Sequence, residues 1–380
     1  LGKVSLIVTI EMLAAAIFFV WYLYRSAKRR SMEVNPEQGF PYSVGLLYIF
    51  VISILCGVLV GLSQVIYVGA IGGYDIYIEG IISRYEDMAA LIDENTRALF
   101  VESMGNPTCR VADIEALAEV AHSNAIPLIV DNTFGAGGYL CNPFEWGADI
   151  ITDSATKWIN GHGTAMGGII VDSGKFDWTK YPDKFPGLCT PDDSYHGVTY
   201  TERFGLEGAF ITKCTAQLMR DLGSIQSPQS AFYLNLGLES LPFRMKQHCA
   251  NAQAIAEFLS TNEKVAWVKY CGLKDDKYYD LAQKYMPNGS CGVMAFAVKG
   301  DRAFANRFMD SLQLVTIETH VADCHTCILH PASHTHRQLS NEALLAAGID
   351  PDLMRLSIGL ENADDLIADI ENALTQAHNA

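Results

Sequence analysis

The sequence is short of positive charge. Its 27 lysines and arginines stand against 43 aspartates and glutamates, a formal net charge of −16 at pH 7. A surface of that sign repels a phosphate backbone, which excludes a nucleic-acid partner. A dense cysteine framework is also missing. Ten cysteines are scattered over 380 residues, the usage of a chain in a reducing compartment rather than of a small secreted scaffold held by disulfides. Internal repeats and low-complexity tracts are absent as well, and 49% apolar content allows two or more ordinary domains with an ample core.

Charge disappears locally at the start of the chain. Residues 44–73 carry none, and residues 4–24 are interrupted only by Glu11. Each run reaches the ~20 residues that a membrane-crossing helix needs, so a two-helix membrane hairpin over 4–24 and 44–73 is expected, with buried core helices as the alternative. The connecting loop holds Arg25, Lys28, Arg29 and Arg30. The positive-inside rule puts such a loop in the cytoplasm and both chain ends on the far side. Within residues 1–80 five basic groups cancel five acidic ones, so the whole net charge belongs to the remainder of the chain. Leu1 in place of Met reads as a cut or processed start.

What the rest of the chain is organised around is Ser154-Ala155-Thr156-Lys157, followed by Trp158-Ile159-Asn160-Gly161-His162-Gly163. A lysine beside two hydroxyls suits an aldehyde cofactor: hydroxyls take a phosphate and the amine forms a Schiff base. A solvated surface lysine is the plain alternative. The preceding segment reads as a β-α-β-β run. Residues 97–102 form an apolar strand, and a helix starting at Ala112 or Asp113 presents Ile114, Leu117, Ala118 and Ala121 at helical spacing. Residues 126–130 read as a buried parallel strand ending on Asp131-Asn132-Thr133, and residues 148–153 as another ending on Ser154. Ligands collect at the carboxyl ends of strands in open α/β sheets, so Asn106, Asp131, Thr133 and Lys157 should converge on one crevice. A carboxylate and a lysine placed there match pyridoxal phosphate, although a simple Asp131–Lys157 ion pair would also account for them.

Here a resemblance enters. Glu102-Ser-Met-Gly-Asn106-Pro107-Thr108, Val130-Asp131-Asn132-Thr133 and Ser154-Ala-Thr156-Lys157 resemble the Cys/Met-metabolism family of fold-type I pyridoxal-phosphate enzymes. Ser194-Tyr-His-Gly, Phe204-Gly, His330-Pro-Ala-Ser333 and Arg355-Leu-Ser-Ile-Gly-Leu-Glu361 resemble its O-acetylhomoserine sulfhydrylase branch. The likeness covers residues 83–377. It implies an α/β fold: a fold-type I transferase-like mixed sheet in a cofactor domain (83–240), then a smaller α/β substrate domain (241–380), after an apolar, helical, non-matching segment (1–80). It implies γ-replacement on O-acetyl-L-homoserine with sulfide or a small thiol, giving homocysteine or methionine. Lys157 is then the Schiff-base lysine and proton shuttle, and Asp131 holds the pyridine nitrogen. Asn106 meets the ring hydroxyl, Ser154 and Thr156 the phosphate, and Thr133 lines the cofactor site. Arg355 takes the substrate carboxylate and Thr326 sits beside the substrate. A cytoplasmic homotetramer with shared sites follows from the same likeness. The alternatives are a related C–S lyase, cleaving cystathionine or methionine, and a membrane-anchored fusion with an inactive enzyme-like part. The last is supported by what residues 1–80 lack: the family's glycine-rich phosphate loop, its ring-stacking tyrosine, and the Tyr/Arg pair lent to a neighbouring subunit.

Elsewhere residues 172–204 read as a long loop at the entrance of the site. Helices are expected at 208–223, 229–260, 301–312, 341–347 and 363–377, the last with an apolar stripe of Leu366, Ile367, Ile370 and Leu374. Strands are expected near 265–270, 293–298 and 314–318. Cys324-His325-Thr326-Cys327 with His330, His334 and His336 carries a metal-site spacing, but no second cysteine pair accompanies it, and no metal is expected.

Overall fold

A computed structural model describes residues 85–346 and 348–379, all within one compact unit, Ile78–Ala380. The expected hairpin at 4–24 and 44–73 lies outside the described residues. Among those described, no helix is long and apolar enough to cross a membrane.

The first sheet has the order β1 (Leu99–Glu102), β2 (Leu128–Asp131), β3 (Ile150–Asp153), β4 (Ile169–Asp172). The first three strands are parallel, and β4 returns antiparallel against β3. Helix α1 (Ile114–Ser123) crosses from β1 to β2 and buries Ile114, Leu117, Ala118 and Ala121, the four residues its spacing singles out. Asp113 caps it, its carboxylate accepting from the Ala116 N–H. Carboxyl ends of β1 to β3 therefore point the same way, the arrangement that gathers ligands in parallel sheets.

The expected entrance loop is partly helical. Short turns occupy Trp178–Lys180, Pro186–Cys189 and Asp193–Tyr195, and helix α2 begins at Tyr200, eight residues ahead of the expected start. The reason is Gly205, which at φ 67° lets two helical pieces join across a kink. Helix α3 (Pro228–Thr261) carries Ser227 as its cap and continues through Pro242. Its second half buries Met245, Ala252, Ile255, Ala256 and Leu259.

The second sheet runs β5 (Val265–Lys269), β6 (Val293–Val298), β9 (Met354–Ser357), β8 (Cys327–Leu329), β7 (Thr316–Ile317). Helices α4 (Arg302–Ser311) and α5 (Ala363–Asn379) pack on it in one core with Phe296, Phe308 and Leu356. Strands β8 and β9 were not expected. Both are short and buried on both faces, so neither shows the alternation by which a strand is read.

Candidate active site

At the end of β2, Asp131 Oδ1 accepts from the Thr133 N–H at 2.9 Å and from the Thr133 hydroxyl at 2.6 Å. Thr133 Oγ1 in turn accepts from the Ser154 N–H at 2.9 Å, which ties the end of β2 to the end of β3. Both bonds to Asp131 fall on Oδ1, leaving Oδ2 to accept from a ligand. The turn after β3 alternates: Ser154, Thr156 and Lys157 stay partly exposed while Ala155 and Trp158 are buried. Thr156 Oγ1 donates to Gly167 O at 3.2 Å and accepts from the Gly167 N–H at 3.1 Å, fixing the turn to the start of β4.

From the far side this turn is held by α3. Arg244 is buried, and its Nη2 donates to the carbonyls of Trp158 (2.9 Å), Ile159 (3.3 Å) and Gly237 (2.7 Å). A Cβ at Gly237 would meet Ile159 O at 2.2 Å, so only glycine lets the helix approach so closely.

The second sheet supplies the opposite wall. Arg355 on β9 is 4% exposed; its Nη1 donates to Asn106 Oδ1 at 3.1 Å, and its Nη2 to Thr319 O at 3.0 Å and His320 O at 2.7 Å. Burial pulls its guanidinium below the usual range. Lys157 Nζ stands 3.3 Å from His320 Nδ1, and burial, followed by the Arg355 charge, lowers the lysine below its ordinary value. Asn106 thus meets Arg355, Lys157 meets His320, whose carbonyl Arg355 holds, and Asp131, Thr133 and Ser154 are chained together at the ends of β2 and β3.

Thr326 is placed differently. It is fully buried, with its hydroxyl donating to Glu361 Oε2 at 2.7 Å and accepting from the Gly359 N–H at 2.8 Å. It bears on the site by fixing its loop, whose Cys324 N–H donates to Gly161 O at 2.8 Å. Among the described residues no three metal-ligating side chains gather.

Sequence reading missed His320, Asp153 and Arg244. Asp153 is 7% exposed with Gly137 N–H donating to it at 3.2 Å, and burial, opposed by that bond and aided by Asp131, pushes its carboxyl up to about 7.

These residues fit pyridoxal phosphate. Arg355 Nε is buried without a hydrogen-bond partner, and a buried donor left so is costly unless a bound group, such as the carboxylate of a cofactor-linked substrate, answers it. An amine of lowered basicity, a carboxylate with a free oxygen and the Ser154 hydroxyl, with that of Thr156 bonded to Gly167 beside it, supply the set of groups this cofactor needs.

A profile of the Cys/Met metabolism PLP-dependent enzymes matches residues 77–375. The chain belongs to this family. The chain is 47% identical over 291 residues to the homocysteine synthase of Schizosaccharomyces pombe, covering 77% of this chain and 68% of that one. Over 291 residues it is 44% identical to O-acetyl-L-homoserine sulfhydrylase 1 of Thermus thermophilus, with the same coverage. In structure it is similar to an O-acetylhomoserine (thiol)-lyase of Campylobacter jejuni solved with N'-pyridoxyl-lysine-5'-monophosphate, at TM-score 0.73 and 38% identity over 77% of this chain and 69% of the other. As a member of the Cys/Met-metabolism family, this chain is a pyridoxal-phosphate-dependent enzyme with mixed α/β sheets, and its substrates are small molecules.

Proposed function

We propose that the enzyme replaces the acetoxy group on Cγ of O-acetyl-L-homoserine, released as acetate, with sulfide or a small thiol, giving homocysteine or methionine. What supports this reading is that Lys157 and Arg355 both bear on His320 while Thr133 ties Asp131 to the turn that carries Lys157, in a chain whose relatives bear homocysteine synthase and sulfhydrylase names. When bound, the cofactor supplies a carbonyl for the amines and an electron sink for charge developing on substrate carbon.

The protein's own groups do the rest. Lys157 is the anchor and the base that moves the proton at the substrate's Cα, and burial, followed by the Arg355 charge, lowers its basicity in the direction that role needs. Asp131 Oδ2 holds the ring nitrogen protonated. The hydroxyls of Ser154 and Thr156 bind phosphate, Asn106 meets the ring hydroxyl, and Thr133 orients Asp131. Arg355 binds the α-carboxylate, with Nε its free donor.

The protein is read further as a cytoplasmic homo-oligomer. Exposed apolar side chains on the first half of α3 support an interface, Phe232 at 55%, Leu236 at 46% and Phe243 at 76% exposure. Anchoring through residues 4–24 and 44–73 is the competing location, and it is separated from the first by whether the protein sediments with membranes or stays in the supernatant.

The deciding experiment adds pyridoxal phosphate to the purified protein and to Lys157→Ala, and records visible absorbance before and after borohydride reduction. The expected outcome is a yellow protein whose cofactor becomes fixed on Lys157, sulfide-dependent turnover of O-acetyl-L-homoserine, and at least a ~10³-fold loss in the variant. Cleavage of cystathionine or methionine without added sulfide would move the reading to a C–S lyase. A colourless protein that cannot be loaded would make the enzyme part an inactive passenger.

A further inference from the structure

His320 touches the nitrogen on which the chemistry depends. It comes from the segment between β7 and β8, and its backbone oxygen is pinned by Arg355 Nη2 at 2.7 Å and by Cys327 Sγ at 3.3 Å. Its ring nitrogen Nδ1 is 3.3 Å from Lys157 Nζ. The other nitrogen, Nε2, is buried with no hydrogen bond, and Asp323 Oδ2 stands 3.9 Å from it. The charged and titratable groups facing the ring are Lys157 from the β3 turn, Arg355 from β9, Cys327 from β8, and Asp323 and Glu318 from its own segment.

An ammonium has donors and no acceptor, so an imidazole nitrogen in contact with it must be unprotonated. Two bases in contact beside a buried guanidinium cannot both be charged. We propose that Lys157 and His320 share one proton, with His320 Nδ1 accepting the hydrogen bond that aims Nζ and taking the proton that Lys157 collects from substrate carbon. In that transfer an Nζ–H bond breaks and an Nδ1–H bond forms. Positive charge passes from ammonium to imidazolium, whose Nε2–H then faces the Asp323 carboxylate, and Lys157 is again a base. Replacement at the γ carbon requires protons to leave both Cα and Cβ, so a lysine that can be unloaded between them serves the reaction. Burial and the Lys157 charge both lower His320, which keeps the imidazole neutral while the lysine holds the proton. The relay rests on the proposed activity; the shared proton does not.

The test is competitive labelling of cofactor-free protein with acetic anhydride across pH, read at Lys157 by mass spectrometry, for the wild type, His320→Gln and His320→Phe. In H320F the ammonium loses its acceptor, and the pH midpoint of Lys157 reactivity should fall by about one unit. H320Q retains an acceptor oxygen and should keep most of the original midpoint. An unmoved midpoint in H320F, or equal shifts in both variants, overturns the shared proton. Independently of any His320 variant, the imidazole midpoint measured by NMR in cofactor-free protein should rise in Lys157→Ala; an unmoved value also overturns it. In the loaded enzyme H320F should lower kcat by about 10²-fold with KM little changed, and unchanged turnover overturns the relay.

Discussion

Asp153 shows how one side chain sets a pH response. Its carboxyl is buried beside Asp131 and is raised from an ordinary value of 3.8 to about 7. A raised carboxyl contributes stability fully below its unfolded value, and that contribution is lost as pH rises through the folded value. Asp153→Asn keeps an acceptor for the Gly137 N–H and cannot ionise. The variant should therefore match the wild type near pH 4 and exceed it at pH 8, by at most about 4 kcal/mol for a shift of some three units. Denaturant titrations at the two pH values check this, and a difference that does not change with pH would refute it. Residue types at strand ends were legible in the sequence because the parallel pattern predicts where those ends meet. His320 was not, since 163 residues separate it from Lys157 and only sheet topology makes them neighbours.

Among the elements, α3 connects packing to chemistry. It was legible as a long helix, yet not as the clamp on the Lys157 turn, because that role depends on Gly237 and Arg244 meeting carbonyls far away in sequence. Gly237→Ala forces a methyl group against Ile159 O, and such overpacking costs about 1–3 kcal/mol. The turn must shift, so cofactor affinity should fall along with stability. Leu238→Ala, at a side chain 48% exposed, should change stability by no more than about 0.5 kcal/mol and leave affinity intact. Denaturation and cofactor titration of both variants compare them; equal behaviour would remove α3 from the site. Strands β8 and β9 escaped the sequence for an opposite reason: full burial erases the two-residue period that marks a half-exposed strand.

Across the whole molecule, the site exists only where two sheets meet. Asn106 beside β1 and Arg355 on β9 are hydrogen-bonded across 249 residues of chain, and Tyr285 donates to Asp113 across a separation of 172. A ligand held by both sheets binds the folded unit and not the unfolded chain, so its affinity adds to stability as RT ln(1 + [L]/Kd), about 2.7 kcal/mol at a hundredfold excess over Kd. For a unit of this size that corresponds to a rise in Tm of roughly 4 °C. Thermal melts over a series of pyridoxal-phosphate concentrations should show the rise growing with the logarithm of concentration, and Lys157→Ala, lacking the covalent anchor, should lose most of it. Among the described residues, the hydroxyls proposed to take the cofactor's phosphate are those of Ser154 and Thr156. A cooperative melt with no shift at millimolar cofactor would mean that those hydroxyls, with Lys157 and Asp131, do not suffice.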